Sequence, residues 1–348
     1  MFGVNQKKIR LILLVLALIA LAAGIFFNYL LANSSGRQNM LLVGWDGAER
    51  SAVYALLKNG SLPNLQKLID EGSVVGTTIT KGKTETKPGW AEILTGYDSE
   101  TLGIISNEEY KPIPAGYTIF ERLEEKYGAD NIVTVFITGK INNTGARGPH
   151  RVCVNCITRD ALTFEKTGWW DDTIEATLEE GATERRFEDR DGEPYYLTKN
   201  ALDFYESGLG EAQNVGALAL ELLRKYKDRR FFMFIHFEEP DEVGHVYGGG
   251  SEEYTQGILD DDFWLGEMVA ELKKNGLYDR TTIYLTTDHG FNPKGKDHRN
   301  QPETFFATND SREIRPGSRL DITPTILERT GFDLKEISSA LDGKSLYR

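Results

Sequence analysis

The chain has 348 residues, 40% hydrophobic and 27% charged, which allows one large domain or two ordinary ones with a sizeable core. A formal charge of −13 excludes a general nucleic-acid binder, which needs a basic face to neutralise phosphates; no nucleic-acid polymer is expected as partner. Two cysteines exclude a disulfide framework beyond one bridge.

Residues 11–31, "LILLVLALIALAAGIFFNYLL", carry no formal charge, and Asn28 is their one strongly polar side chain. A helix of this length spans about 30 Å of hydrocarbon, so a transmembrane helix is expected here. Lys7, Lys8 and Arg10 precede it and Arg37 follows. That bias keeps residues 1–10 cytoplasmic and puts the rest of the chain outside the cell membrane. A cleaved signal peptide is the alternative, but the apolar stretch is longer than a usual signal core and no small-x-small site follows. An uncleaved single-pass anchor is the expectation, with residues 32–38 as a polar linker to a domain at 39–348.

From Asn39 onward apolar runs alternate with helical patterns. "MLLVGW" (40–45) reads as a buried strand, and "SAVYALLKNG" and "PNLQKLIDEG" as amphipathic helices each stopped by glycine. The rhythm of helix then strand recurs in "TIFERLEEKYG" and "NIVTVFIT", in "GALALELLRKYK" and "RRFFMFIHF", and in "DDFWLGEMVAELKKNG" and "TTIYLTT". The fold class expected is α/β: a mostly parallel central sheet sandwiched by helices. Residues 140–210 break the rhythm, with Trp169, Trp170 and a charged run, and read as an inserted cap. Within them "CVNC", Cys153 and Cys156, reads as a structural pair able to close a small disulfide loop. "NNT" at Asn142 matches a glycosylation acceptor.

Ligands of open parallel sheets bind beyond the carboxyl ends of the strands. After "MLLVGW" comes Asp46; after "FFMFIHF" come Asp241 and His245, four apart; after "TIYLTT" come Asp288 and His289, with His298 nine residues on. Mixed oxygen and imidazole donors suit Zn²⁺, with Mn²⁺ second on ligand grounds. Six such residues exceed the needs of one catalytic ion and suit two divalent metal ions. His236, inside its strand, reads as a packed or supporting residue, and His150 as a surface one.

"ETKPGWAEILTG" places Pro88 at the first helical position, so Thr86 sits at the helix entrance. Free N–H groups and the positive dipole end favour an anion there. In isolation Thr86 reads as an N-cap; beside a two-metal site it is also a nucleophile, activated by coordination.

These segments, "GWDGAER", "TKPGWAEILTG", "EEPDEVGH", "TTDHGF" and "LDITPTILERTGFD…LDGKSL", resemble the alkaline phosphatase superfamily, nearest its type I phosphodiesterase/nucleotide pyrophosphatase branch. The resemblance covers roughly residues 39–348 and is weakest over 140–210. It implies an alkaline-phosphatase-like fold, with one zinc held by Asp241, His245 and His298. The other is held by Asp46, Asp288 and His289, with nucleophilic Thr86 as a further ligand. Asn107, in "TLGIISN", matches an asparagine that binds a non-bridging phosphoryl oxygen. Lys87 and Gly89 stand where nucleotide pyrophosphatases commonly carry Phe and Asn, and Lys87 is assigned to substrate binding. "TKPGW" lacks the C/S-x-P-x-R pattern of sulfatases.

The expected function is therefore a membrane-anchored, outward-facing two-metal phosphoryl hydrolase, a phosphodiesterase acting through phospho-threonine. Its substrate would be a small phosphoester, a nucleotide or a lipid head group. The alternatives are a phosphotransferase to a lipid or alcohol and, further off, a sulfatase or an inactive binding module.

Overall fold

The computed structural model describes residues 39–153, 156–157, 177–178, 184 and 186–348. The expected transmembrane helix at 11–31, its flanks 1–10 and 32–38, and Trp169 and Trp170 lie outside the described residues, as do the side chains of Cys153 and Cys156. Among the described residues no helix is long and apolar enough to cross a membrane.

Residues Asn39–Arg348 form one compact unit. Its strands are β1 (Asn39–Trp45), β2 (Ser73–Thr78), β3 (Val133–Thr138), β4 (His150–Cys153), β5 (Cys156–Ile157), β6 (Thr177–Leu178), β7 (Phe187–Arg190), β8 (Phe204–Glu206), β9 (Phe231–Phe237), β10 (Thr281–Thr286), β11 (Glu303–Thr308) and β12 (Gly317–Ser318). The main sheet has the order β12-β2-β11-β10-β1-β9-β3-β8. It is parallel from β10 through β1, β9 and β3 to β8, while β11 runs antiparallel to both β10 and β2. The pairs β4–β7 and β5–β6 make two small antiparallel ribbons.

The helices are α1 (Arg50–Lys58), α2 (Pro63–Glu71), α3 (Thr86–Thr95), α4 (Ser99–Leu102), α5 (Ile119–Tyr127), α6 (Ala212–Lys225), α7 (Asp241–Tyr247), α8 (Glu252–Lys274) and α9 (Ile322–Arg329). Strand periodicity sorts the apolar side chains into two cores. Leu41, Val43 and Trp45 of β1 join Phe231, Met233 and Ile235 of β9 under α1, α2, α6 and α8. Met40 and Leu42 join Phe232 and Phe234 on the opposite face under α3, α5 and α9. Both faces are covered, which is why these strands read as unbroken apolar runs.

Three expectations shift. Helix α3 starts at Thr86 with Glu85 as N-cap, so Pro88 is its third residue, not its first. The first-turn N–H groups have no intrahelical partner, so proline is tolerated there too. Helix α8 begins at Glu252, well before the expected pattern, because Ser251 caps it by accepting from Tyr254 N. Of the segment 140–210 read as a cap, Phe204–Glu206 instead form the edge strand of the main sheet.

Helix α8 also supplies charge to its neighbour. Asp262 accepts from Asn64 N (3.1 Å) and Leu65 N (2.7 Å), capping α2, whose own N-cap Leu62 offers no side-chain acceptor. Its neighbour Asp261 is fully buried, and neither carboxylate oxygen has a hydrogen-bond partner among the described residues. Burial first, then the charges of Glu239, Asp260, Asp46 and Asp262, hold its carboxyl well above the usual range. A raised folded-state value means that folding takes up a proton. The contribution to stability is complete below the unfolded-chain value and is lost as pH rises toward the folded one. Asp261→Asn removes that dependence, so its melting temperature should gain on the parent's steadily from pH 5 to pH 9. A difference that stays flat across that series contradicts the assignment.

Candidate metal and catalytic centre

Strands β10, β1 and β9 are adjacent and parallel, so their carboxyl ends open at one edge of the sheet. Asp46 follows β1 directly, Asp288 and His289 follow β10, and Asp241 opens α7 just past β9. One helical turn brings His245 onto the face of Asp241. The loop after Phe291 folds back to deliver His298, whose ring lies 4.0 Å from that of His289 and 5.0 Å from that of His245.

Two ligand sets result: Asp241, His245 and His298, and Asp46, Asp288 and His289. Within each, the candidate donor atoms lie within 4.8 Å of one another. The grouping coincides with the division expected from sequence. The second set is fully buried, whereas His245 leaves its side chain 39% exposed, so the first set faces the opening.

The surrounding bonds fix one atom each of Asp46, Asp288, His245 and His289. Asp46 Oδ2 is 2.7 Å from His236 Nε2 and accepts from Trp90 Nε1 at 3.0 Å. Asp288 Oδ1 accepts from Gly47 N (3.2 Å). The Nδ1 atoms of His245 and His289 sit 3.0 and 2.9 Å from the carbonyls of Lys296 and Gly290, which assigns them the proton and leaves Nε2 as a lone pair. Asp46 Oδ1, Asp288 Oδ2 and His289 Nε2 are buried with no hydrogen-bond partner among the described residues. So are Asp241 Oδ1 and His298 Nδ1.

Electrostatics agree. Burial pushes the Asp288 carboxyl well above its usual range, and the charges of Asp46 and Asp241 add to it. Burial, with His289 next, pushes the His298 ring down to about 4, which keeps it a neutral donor. Burial would raise Asp241 too, but the Lys140 ammonium outweighs it and holds that carboxyl well below the usual range. Burial would lower the His245 ring, but its hydrogen bond to Asp241 outweighs that and raises it. Three aspartates and three histidines crowded together out of water fit divalent cations.

Thr86 is 1% exposed, and its Oγ1 has no hydrogen-bond partner among the described residues. It caps nothing, contrary to the reading it would carry in isolation. The turn it opens lies against Asp288: a Cβ on Gly89 would come 2.7 Å from Asp288 Cβ. Asn107 does cap, its Oδ1 accepting from Lys87 N at 2.9 Å, and its own N–H donates to Glu85 Oε2. Its amide N–H₂ is left over for another acceptor. Lys87 is buried with its ammonium 3.4 Å from Asn143 Oδ1 and over the Tyr110 ring, and burial pushes it down to about 8.

Sequence reading missed Lys140, and it missed the pair Arg319–Glu92. Arg319 is fully buried and bonds Glu92 Oε2 through Nε, the Asp288 carbonyl through Nη1 (2.8 Å) and the Lys83 carbonyl through Nη2 (3.1 Å). It thereby ties α3, the loop before it and the Asp288 backbone into one unit. The two residues are far apart in sequence and carry no local pattern. Trp90 could be read only as a core aromatic, although its N–H serves Asp46.

The profile of the type I phosphodiesterase / nucleotide pyrophosphatase family matches residues 40–345. The chain belongs to that family. Among its curated relatives, the bis(5'-adenosyl)-triphosphatase ENPP4 of Homo sapiens is 24% identical over 267 residues, 76% of this chain and 50% of that one. GPI ethanolamine phosphate transferase 1 of Homo sapiens is 24% identical over 274 residues, 76% of this chain and 25% of that protein. The chain thus spans about half the length, or less, of these relatives. The lipoteichoic acid synthase LtaP of Listeria monocytogenes shares the fold, with a TM-score of 0.53 at 15% identity over 90% of this chain and 76% of that one. So does BT4656, solved with D-glucosamine-2-N,6-O-disulfate, with a TM-score of 0.56 at 14% identity over 89% and 79% of the two chains. This chain therefore shares its fold with both of those chains.

The Arg319–Glu92 tie predicts a specific double-mutant pattern. Arg319→Met alone should cost about 3–5 kcal/mol by stranding a buried carboxylate. Adding Glu92→Leu should recover part of that, because the stranded charge is gone. Denaturant melts of the two single variants and the double variant measure this, and strictly additive losses would contradict it.

Proposed function

We propose that this chain is a two-metal phosphoryl hydrolase, a phosphodiesterase with Thr86 as nucleophile and a phospho-threonine intermediate. One observation carries the reading. Two Asp/His donor sets lie at one sheet edge, and against Asp288 packs the helix turn opened by Thr86, whose buried hydroxyl has no hydrogen-bond partner among the described residues. Asp241, His245 and His298 would hold one divalent ion, and Asp46, Asp288 and His289 the other, with Thr86 next to the second; the donors suit Zn²⁺ before Mn²⁺. Such ions, when bound, supply Lewis acidity and charge neutralisation at phosphoryl oxygens.

The chain's own residues do the rest. Thr86 Oγ1 gives up its proton to solvent and bonds to phosphorus as the bond to the leaving oxygen breaks, that oxygen takes up a proton from solvent, and water later hydrolyses the phospho-threonine to threonine and the phosphate product. The α3 N-terminus presents first-turn N–H groups toward developing negative charge. Asn107, held as a cap by its oxygen, offers its amide N–H₂ to a non-bridging oxygen. A neutral donor suits the single charge of a diester better than a cationic clamp would. Lys87 is proposed to set preference for the rest of a small phosphoester, a nucleotide or lipid head group.

The family match and the ENPP4 relative support hydrolysis. A second reading, transfer of the phosphoryl-linked group to an alcohol or lipid, is favoured by the likeness to an ethanolamine phosphate transferase. Product analysis with added glycerol separates the two. We also place residues 11–31 as an anchor with the catalytic unit outside; a phosphatase reporter fused after Arg348 should be active in intact cells, and a silent one would reverse the orientation.

Thr86→Ala should abolish turnover of bis-p-nitrophenyl phosphate while retaining fold and metal content, and a phosphorylated intermediate trapped on another residue would refute the nucleophile. The diester should be preferred over p-nitrophenyl phosphate in kcat/KM. Asn107→Ala should lose about 1.5–3 kcal/mol of transition-state stabilisation, the range of a charge-assisted hydrogen bond. It should also lose about 1 kcal/mol of stability through the cap. Asn107→Asp keeps the cap acceptor but not the donor, so its stability should hold while its rate falls.

A further inference from the structure

The Lys140 ammonium sits between the two donor sets. It lies 3.3 Å from Asp46 Oδ1, forms an ion pair with Asp241 Oδ2, and lies 3.3 Å from Glu242 Oε1. Asp46 belongs to one set and Asp241 to the other. The oxygens Lys140 takes are the ones turned toward the imidazoles: Asp241 Oδ2 is 3.3 Å from His245 Nε2, and Asp46 Oδ1 is 3.8 Å from His289 Nε2. A monovalent cation of the chain therefore stands against one carboxylate oxygen of each donor set, where divalent ions would add their own charge. Two cations that close, away from water, repel strongly.

The Lys140 backbone is fixed, while one partner of its side chain lies toward solvent. The Lys140 carbonyl accepts from Thr138 Oγ1 (2.9 Å), Thr144 Oγ1 (2.6 Å) and Gly208 N (3.3 Å), which fixes the main chain. Two of the ammonium's partners are fully buried, but Glu242 is 37% exposed, so the third partner lies toward solvent. Retreat toward Glu242 keeps one ion pair and releases both buried carboxylates.

Resting on the two-metal reading, we infer that Lys140 is an internal cation that holds the two donor sets together in the metal-free chain and gives way when ions bind. It pairs with Asp46 and Asp241 without metal, and it competes with metal for them. Removing one partner of a buried ion pair strands the other charges, so the metal-free chain depends on this lysine in a way the loaded chain does not.

The test uses the detergent-solubilised full chain, stripped with chelator, and Zn²⁺ alone as probe. Lys140→Met should melt below the parent when stripped and close to the parent when loaded. It should also bind Zn²⁺ about tenfold tighter in chelator competition, as expected when a competitor that leaves the site open only part of the time is removed. Equal or weaker Zn²⁺ binding by the variant overturns the inference. Where the stripped variant does not fold, the parent decides. Reductive methylation followed by peptide mass spectrometry should show Lys140 modified several-fold faster in the Zn²⁺-saturated chain than in the stripped one. Equal or slower modification on loading overturns the inference. A parent that binds no Zn²⁺ removes the two-metal reading itself; a parent that binds two ions beside an unchanged Lys140→Met removes only this inference.

Discussion

Three carboxylates, Asp46, Asp241 and Asp288, are fully buried at the carboxyl ends of three adjacent strands. Isolated charges out of water are expensive, and like charges together more so, which makes this the constraint that the rest of the site answers. Each response is visible in a particular contact. Lys140 bridges two of the carboxylates, His236 and Trp90 take the far oxygen of Asp46, and Gly47 N–H takes one oxygen of Asp288. Asp241 Oδ1 and Asp288 Oδ2 keep no hydrogen-bond partner among the described residues, and Asp46 Oδ1 meets the Lys140 ammonium.

The precision of that arrangement comes from groups that touch no substrate. Gly44 has no Cβ to block the Trp90 ring, which would meet one at 2.4 Å, so the indole lies close on β1 and reaches Asp46. Gly89 likewise lets the first turn of α3 press against Asp288. Arg319 and Glu92 then lock the helix, its preceding loop and the Asp288 backbone to one another. The first turn of α3, which Thr86 opens, is therefore tied directly to Asp288, and fixed first-turn placement is what makes a helix N-terminus useful for a developing anion.

Asn107 illustrates how structural and chemical roles share a side chain. Its oxygen satisfies a first-turn N–H of α3, while its amide nitrogen remains available, so the cap itself orients the donor. The same division holds for His245 and His289, whose Nδ1 atoms face backbone carbonyls and whose Nε2 atoms face the carboxylates of their own donor sets. In each case one atom is fixed by the fold so that the other points usefully.

Much of this was legible in sequence. Apolar runs buried on both faces identify parallel strands, and the rule that ligands gather beyond strand ends picked out Asp46, Asp241, His245, Asp288, His289 and His298 before any distance was known. Those are local signals: each residue follows its own strand or lies one helical turn away. The antiparallel insertion of β11 between β10 and β2 escaped, because strand order depends on pairing energies across the whole sheet and not on any short window. The start of α3 escaped by two residues, since a proline is tolerated anywhere in a first turn whose N–H groups lack intrahelical partners. Lys140 and the Arg319–Glu92 pair escaped entirely: a buried charge is placed by its partners, and those partners stand about a hundred or more residues away. Sequence alone determined which residues stand at the strand ends and what metal chemistry they suit. Only the tertiary structure decided which charges meet there, because charge pairing is a property of positions in space and leaves no period along the chain.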